Sequence, residues 1–332
     1  MKNDMDTIKD LFQHMERHHT GDTCYKVNTI PGMQHKLGKS AEGFPMFFVR
    51  TNESASPTAN ITRELLTVVY DRMCKVETEG TKAEHSFTII TLRSVEWSLQ
   101  ATFIDIVQLM LGGLQPMPSR KELAVEVEKL ITIFSAMQRV PVKEIQGLWG
   151  ELLVIERSKY PAVLVNAWHN SPKAKYDFTS GRDKIEVKTT SGENRIHQFS
   201  LDQLNPSPSS RLLVASMTVR ESAQVGGRSV KDLFEAITAK VGTIEQFHLY
   251  KTLAETMGNS FTKWNTIFFD YTEASDSLKF FRAEDIPRIN KTDVPAGVTD
   301  VKFRSCLDGL QDAFSDGRTD DYKSSTLFKS IH

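Results

Sequence analysis

The stretch Tyr176 to Thr190, YDFTSGRDKIEVKTT, decides how this chain is read. It has the form of two short strands, Tyr176 to Phe178 and Asp183 to Thr190, joined by a turn in which Gly181 is free to take a positive φ. Side chains alternate across a strand, so Ile185 and Val187 point one way while Lys184, Glu186 and Lys188 point the other. Tyr176 and Phe178 share one face of the first strand and Asp177 takes the opposite one. If the aromatic and aliphatic faces go to the core together, Asp177 and Glu186 emerge side by side. Lys188 then follows at roughly 7 Å from Glu186, given about 3.3 Å of rise per residue.

Two carboxylates and an amine at one place are the parts that phosphodiester hydrolysis requires. Carboxylate oxygens can hold Mg²⁺, which keeps several waters and takes its remaining ligands from a substrate phosphate. A nearby lysine can orient a water or neutralise charge in the transition state. These residues resemble the PD-(D/E)XK nuclease superfamily, whose core is an acid on one strand and acid-x-Lys on the next. Asp177 matches the first acid and Glu186-Val187-Lys188 the E-x-K; Tyr176 stands where the motif has Pro. The resemblance implies that Asp177 and Glu186 bind the metal, with the Val187 carbonyl as an extra ligand, and that Lys188 positions the attacking water. The competing reading is the charged, solvated face of an exposed hairpin.

Upstream, Val142 to Ser158 reads as a helix containing Gly147-Leu148-Trp149-Gly150-Glu151-Leu152. Each glycine costs a helix about 1 kcal/mol relative to Ala, so the pair is expected to mark close approach of a neighbouring element. On a helical wheel Glu151 lies between Val154 and Ile155, but Glu144 and Glu156 also touch the apolar stripe, and periodicity leaves all three open. The run from Gly147 to Glu156, followed by the hairpin, resembles a bacterial PD-(D/E)XK family found in phage-defence and restriction-type gene clusters. Its most specific parts are G-L-W-G-E-L and E-V-K-T-T, and it selects Glu151 as the helix-borne glutamate facing the catalytic sheet, expected to assist through the metal's water shell or a second ion. His169 ends the next helix, Pro161 to Trp168; it could approach the site, but the macrodipole favours a His there and the structural reading ranks first. Ser200 and Gln203 satisfy a capping box; the resemblance also makes Gln203 a candidate to reach the site and fix the scissile phosphate or Lys188. Lys173, Lys175, Arg182, Lys184 and Arg195 surround the motif in sequence and are expected to meet backbone phosphates.

The 332 residues carry a formal net charge of −1, so nothing global draws the chain to nucleic acid and any such contact must be local. Cys24, Cys74 and Cys306 are scattered and form no C-x-x-C pair, which argues against a disulfide framework or a zinc site and fits a reducing cytoplasm. No apolar run approaches the roughly 20 residues of a membrane span, the polar start is unlike a signal peptide, and no phosphate-binding G-x-x-x-x-G-K-[ST] occurs. Asp6 to His18 is expected to be helical, Phe44 to Val49 and Ser86 to Leu92 strands, and Trp97 to Leu111 a helix ended by Gly112-Gly113. Leu65 to Thr78 suits strand or helix. Ser119 to Arg139 reads as a helix with a Ser119/Glu122 capping box. Later strands are expected at Ile196–Phe199 and Leu212–Val219, a hairpin at Asn265–Tyr271 and Ser277–Arg282, and a strand at Val298–Phe303.

These elements predict an N-terminal β-rich module with a closing helix (1–115) and an α/β PD-(D/E)XK, restriction-endonuclease-like domain with a central mixed sheet flanked by helices (116–290). A C-terminal extension (291–332) is expected to end in a mobile or partner-binding tail. The expected function is a Mg²⁺-dependent DNA endonuclease, with Mn²⁺ able to substitute, in a restriction or anti-phage system that could include an ATPase/helicase-like subunit. Two alternatives are a non-catalytic DNA-binding or assembly subunit of such a complex and a nuclease acting on RNA or branched DNA.

Overall fold

The structure, a computed structural model, describes residues 7–19, 24–52, 59–141, 143–169, 174–315, 322 and 324–331. Its chain divides into two units, Met1–Arg139 and Val140–His332.

In the first unit, α1 (Ile8–His14) starts at a Thr7/Asp10 capping box. Strands β1 (Tyr25–Thr29), β2 (Lys36–Lys39), β3 (Pro45–Val49), β4 (Ile61–Thr62), β5 (Leu66–Thr78) and β6 (Thr81–Leu92) form one sheet in the order β1-β2-β3-β6-β5-β4. A parallel pairing of β1 with β5 closes the sheet on itself, so that five strands make a barrel. The ambiguous stretch is therefore strand. Leu66, Val68, Tyr70, Cys74 and Val76 alternate inward, and a bulge between Val69 and Arg72, with Asp71 at φ 51°, interrupts the period of two. Two helices, α2 (Trp97–Gly112) and α3 (Arg120–Ala136), complete the unit, the latter opened by the Ser119/Glu122 capping box. Phe103 packs edge-on against Phe47 of β3 at 5.5 Å and against Phe134 of α3 at 5.8 Å. Phe103 thus joins α3 to the barrel inside the first unit, which ends at Arg139.

The second unit runs α4 (Ile145–Arg157), α5 (Pro161–Ala167), β7 (Phe178–Ser180), β8 (Asp183–Thr190), β9 (Ile196–Ser200), α6 (Leu201–Leu204) and β10 (Arg211–Thr218). After these come β11 (Glu221–Ser222), β12 (Gly227–Arg228), α7 (Val230–Thr238), α8 (Thr243–Met257), β13 (Phe268–Asp270), α9 (Tyr271–Ser277), β14 (Lys279–Arg282), β15 (Lys302–Cys306) and α10 (Thr326–Ser330). The central sheet is mixed, as expected, with order β14-β10-β8-β7. β7 and β8 form the antiparallel hairpin, Phe178 opposite Ile185, with Gly181 at φ 55° in the turn. β8 runs parallel to β10 from Asp183↔Arg211 to Thr190↔Thr218. Its Asp183 carboxylate takes both Nε and Nη2 of Arg211, at 2.7 and 2.9 Å. Because β8 is a central strand, the exposed-hairpin reading does not hold.

Three expectations change. Strand β9 leaves the hairpin and pairs with β15 in a separate two-stranded sheet, so the third strand of the central sheet is β10. The late hairpin is absent: β13 and β14 belong to different sheets, because Tyr271–Ser277 between them is helical and capped by Asp270. The C-terminal tail contains α10, whose Leu327 and Phe328 are fully buried and whose Ser330 carbonyl accepts from the Lys159 amide at 2.6 Å. Two adjacent apolar residues are too few to show as periodicity.

Of the two glycines in α4, only Gly150 marks a close approach. A Cβ there would lie 2.4 Å from the Thr189 methyl and 3.6 Å from Val187, both on β8, whereas one on Gly147 would meet nothing within 4 Å. Gly150→Ala is therefore expected to destabilise the protein by about 1–3 kcal/mol through overpacking. Gly147→Ala is expected to be neutral or to stabilise it by up to about 1 kcal/mol. Urea unfolding of both variants checks this pair, and equal effects would contradict the packing described.

Candidate active site

Asp177 immediately precedes β7, opposite Glu186 in the continuing hairpin register. Its Oδ2 accepts the Val187 amide at 2.7 Å, which fixes the carboxylate against β8. Glu186 points from β8 into the same place. Its Oε1 accepts from Lys188 Nζ at 2.8 Å and from Gln203 Nε2 at 2.5 Å. Gln203 caps α6 with its other amide atom: Oε1 accepts the Ser200 N–H at 3.0 Å. The capping and active-site roles of this residue are thus two ends of one amide. Lys188 lies over the Phe199 ring at 5.1 Å, which limits where its ammonium can go.

Glu151 arrives from α4, carried towards β8 by the contact at Gly150. Its Oε2 accepts from Trp168 Nε1 at 2.7 Å and lies 2.8 Å from His169 Nε2. The alternatives on the same helix are otherwise engaged: Glu144 is the exposed N-cap, and Glu156 binds Lys240 and the Tyr271 hydroxyl. His169 follows α5 with φ 40°, a left-handed backbone uncommon outside glycine. Its amide donates to the Asp177 carbonyl at 2.9 Å, while the preceding Trp168 carbonyl meets His248 Nε2 of α8 at 2.9 Å. These bonds hold the ring over the site rather than at a solvated helix end.

Between the two acidic groups stands Lys143, from the segment before α4. Its ammonium bonds Glu151 Oε1, lies 2.5 Å from Asp177 Oδ1 and is 3.5 Å from His169 Nε2. Glu151, Asp177 and Glu186 are all buried. Burial disfavours the Lys143 charge, but two touching carboxylates outweigh it and hold the ammonium above the ordinary lysine range. Burial also opposes the Glu151 charge, and the His169 hydrogen bond with the Lys143 charge overcomes it, so this carboxyl is held low. Glu186 goes the other way. Its own burial and the neighbouring Asp177 charge push it up to about 8. Its Oε2 is a buried atom with no hydrogen-bond partner among the described residues.

These donors suit a hard divalent cation. Ligand atoms of Glu151, His169 and Asp177 lie within 4.8 Å of one another.

The structure brings Asp177, Glu186, Lys188, Glu151 and Gln203 together. Val187 joins them through its N–H, which donates to Asp177 Oδ2. The basic residues divide. Lys173 lies outside the described residues. Lys175 lies over the Tyr176 ring and 4.0 Å from Asp202, and Arg182 is exposed in the β7–β8 turn. Lys184 folds back onto the Gly181 carbonyl. Arg195 is taken up inside the fold, donating to the Ser216 carbonyl at 2.7 Å and to the Ser277 carbonyl, which removes its guanidinium from the phosphate-binding set. Lys143 and His169 are the residues that sequence reasoning did not place in the site.

Residues 9–308 match the model of a family described as "Putative PD-(D/E)XK family member, (DUF4420)". No curated protein and no solved structure matches the chain. No helix among the described residues is long and apolar enough to cross a membrane.

The Glu186 shift has a signed consequence for the metal-free protein. Between its ordinary value of 4.5 and its folded value of about 8, the folded chain keeps a proton that the unfolded chain has lost. Stability should therefore fall as pH rises through that window. Thermal unfolding in the presence of EDTA from pH 5 to pH 8 is expected to show the decline in the natural protein and a flatter profile in Glu186→Gln. Parallel profiles would place the titration elsewhere.

Proposed function

The chain belongs to this family of PD-(D/E)XK proteins, and from that premise we propose that it is a divalent-metal-dependent deoxyribonuclease. In this reading it cuts phosphodiester bonds in DNA as a cytoplasmic component of a restriction or anti-phage defence system. The observation that carries the reading is the burial of Asp177 and Glu186, with the half-buried Lys188 bonded to Glu186 and Glu186 Oε2 left without a partner among the described residues. A fold kept only for docking has no need to bring an uncompensated carboxylate atom out of water.

Asp177, Glu186, Glu151 and His169 would be the residues to hold Mg²⁺, and the ion would supply polarisation of a phosphoryl oxygen and a more acidic bound water. The chain's own groups do the rest. Lys188, held by Glu186 and placed over Phe199, presents an ammonium that can orient a water and offset charge developing on the phosphoryl oxygens. Gln203 donates to Glu186 Oε1, which leaves Oε2 free of hydrogen bonds among the described residues and able to serve as a ligand. The buried setting strengthens each of these electrostatic contacts relative to water. Lys175 and the exposed Arg182 are left to meet the DNA backbone, a local attraction that suits a chain of net charge −1.

One observation favours a second reading. Lys143 satisfies Glu151 and Asp177 without any metal, as would suit a non-catalytic DNA-binding or assembly subunit, working with a partner such as an ATPase/helicase-like protein. Cleavage of supercoiled plasmid with Mg²⁺ or Mn²⁺ separates the two. The natural chain is expected to cut, and Lys188→Ala and Glu186→Gln to lose about 100-fold or more in rate while keeping their far-UV circular dichroism. Asp177→Asn should weaken divalent binding in calorimetry. DNA retention in a gel shift without cleavage under any metal would favour the second reading instead.

A further inference from the structure

We propose that Lys143 is a built-in counter-cation that fills the metal position between Glu151 and Asp177, and that a divalent ion enters only by displacing it. This rests on the metal-dependent reading above and deepens it by saying what stands in the ion's way.

The geometry is that of one cationic atom coordinated by the site's own donors. The Lys143 ammonium touches Glu151 Oε1, Asp177 Oδ1 and, at 3.5 Å, His169 Nε2. Those three residues are the ones whose ligand atoms cluster within 4.8 Å. A metal ion bonding the same oxygens at about 2.0–2.4 Å would stand against the ammonium with no atom between them to screen the repulsion. Formal charge gives the same answer. With all three carboxylates ionised, Glu151, Asp177 and Glu186 offer three negative charges and Lys143 and Lys188 two positive ones. A dication added to this set leaves a buried excess of positive charge, whereas a dication exchanged for Lys143 leaves the centre neutral.

Lys143 is also built to leave. It lies in the segment before the α4 N-cap, Glu144, outside the helix. Its side chain is 30% exposed, against 3% for Glu151 and 7% for Asp177, so the plug is on the open side and the ligands are behind it. While it stays, the two carboxylates are compensated and the ligand set is kept assembled without a metal. The centre is thus closed by default, and its apparent metal affinity is lowered by the competition.

The test uses the full chain and Mn²⁺ or the non-catalytic ion Ca²⁺. Brief acetylation with acetic anhydride, read by peptide mass spectrometry, is expected to modify Lys143 slowly in the metal-free protein and several-fold faster at saturating metal, with the exposed Lys263 as an unchanging reference. In calorimetry at fixed pH, Lys143→Met should bind Mn²⁺ about tenfold more tightly or better, since a contacting like charge is gone. Equal Lys143 labelling with and without metal overturns the proposal whether or not the Met variant folds, and so does unchanged or weaker Mn²⁺ binding by a folded variant. If the natural protein binds metal and cuts DNA under those results, the proposal alone falls. If neither protein binds any divalent ion, the metal-dependent reading falls with it.

Discussion

Glu151, Asp177 and Glu186 come from a helix, the start of a strand and the middle of the next strand, and the fold removes all three from water at one place. Three carboxylates so close repel unless positive charge, donated hydrogen bonds or protons compensate them. Much of the second unit can be understood as that compensation. Lys143 bridges two of the acids, Lys188 and Gln203 serve the third, Trp168 and the Val187 amide donate to the first two, and the Glu186 proton carries what is left over.

The scaffold positions these groups through a few close contacts. Gly150 lets α4 lie against Thr189 and Val187, and a residue with a Cβ would move Glu151 away from the hairpin. Parallel pairing of β8 with β10 makes β8 a central strand, which is what buries Glu186 instead of leaving it on a wet edge. His169 takes a left-handed backbone, held by its bond to the Asp177 carbonyl, and so brings a ring from beyond the end of α5 to Glu151. Local strain of this kind is sustained only where the surroundings over-determine it.

What the sequence discloses and what it hides divide along a physical line. Asp177, Glu186 and Lys188 are legible because strand alternation has a period of two and the hairpin turn fixes the register, so which side chains share a face follows from spacing. Gln203 is legible as a cap and, by family likeness, as a site residue; the structure shows one amide performing both. Glu151 needed the resemblance, because helical periodicity placed Glu144 and Glu156 on the same stripe. Lys143 and His169 come from irregular segments flanking helices, where no period relates a residue to its neighbours. Their signals were weak ones, a lysine shortly before a glycine-bearing helix and a histidine following a buried tryptophan. Arg195 misled for the opposite reason: nearness in sequence to the motif says nothing of direction, and its guanidinium turns to Ser216 and Ser277. In the same way β9 follows the hairpin in sequence but pairs with β15, a strand about a hundred residues later, a non-local choice that local pattern cannot express.

The capping box of α6 differs from the others among the described residues. At α1, α3, α7 and the short helical turn at Lys291–Asp293, the third helical position is acidic: Asp10, Glu122, Asp232 and Asp293. At α6 it is Gln203. A glutamate would cap the helix as well, but it would set a fourth carboxylate against Glu186 and replace a donor with an acceptor. The alphabet open to this position is therefore narrower than the motif alone permits. In homologous chains, a glutamate at this position would mark the members in which the neighbouring acid has been freed from its task.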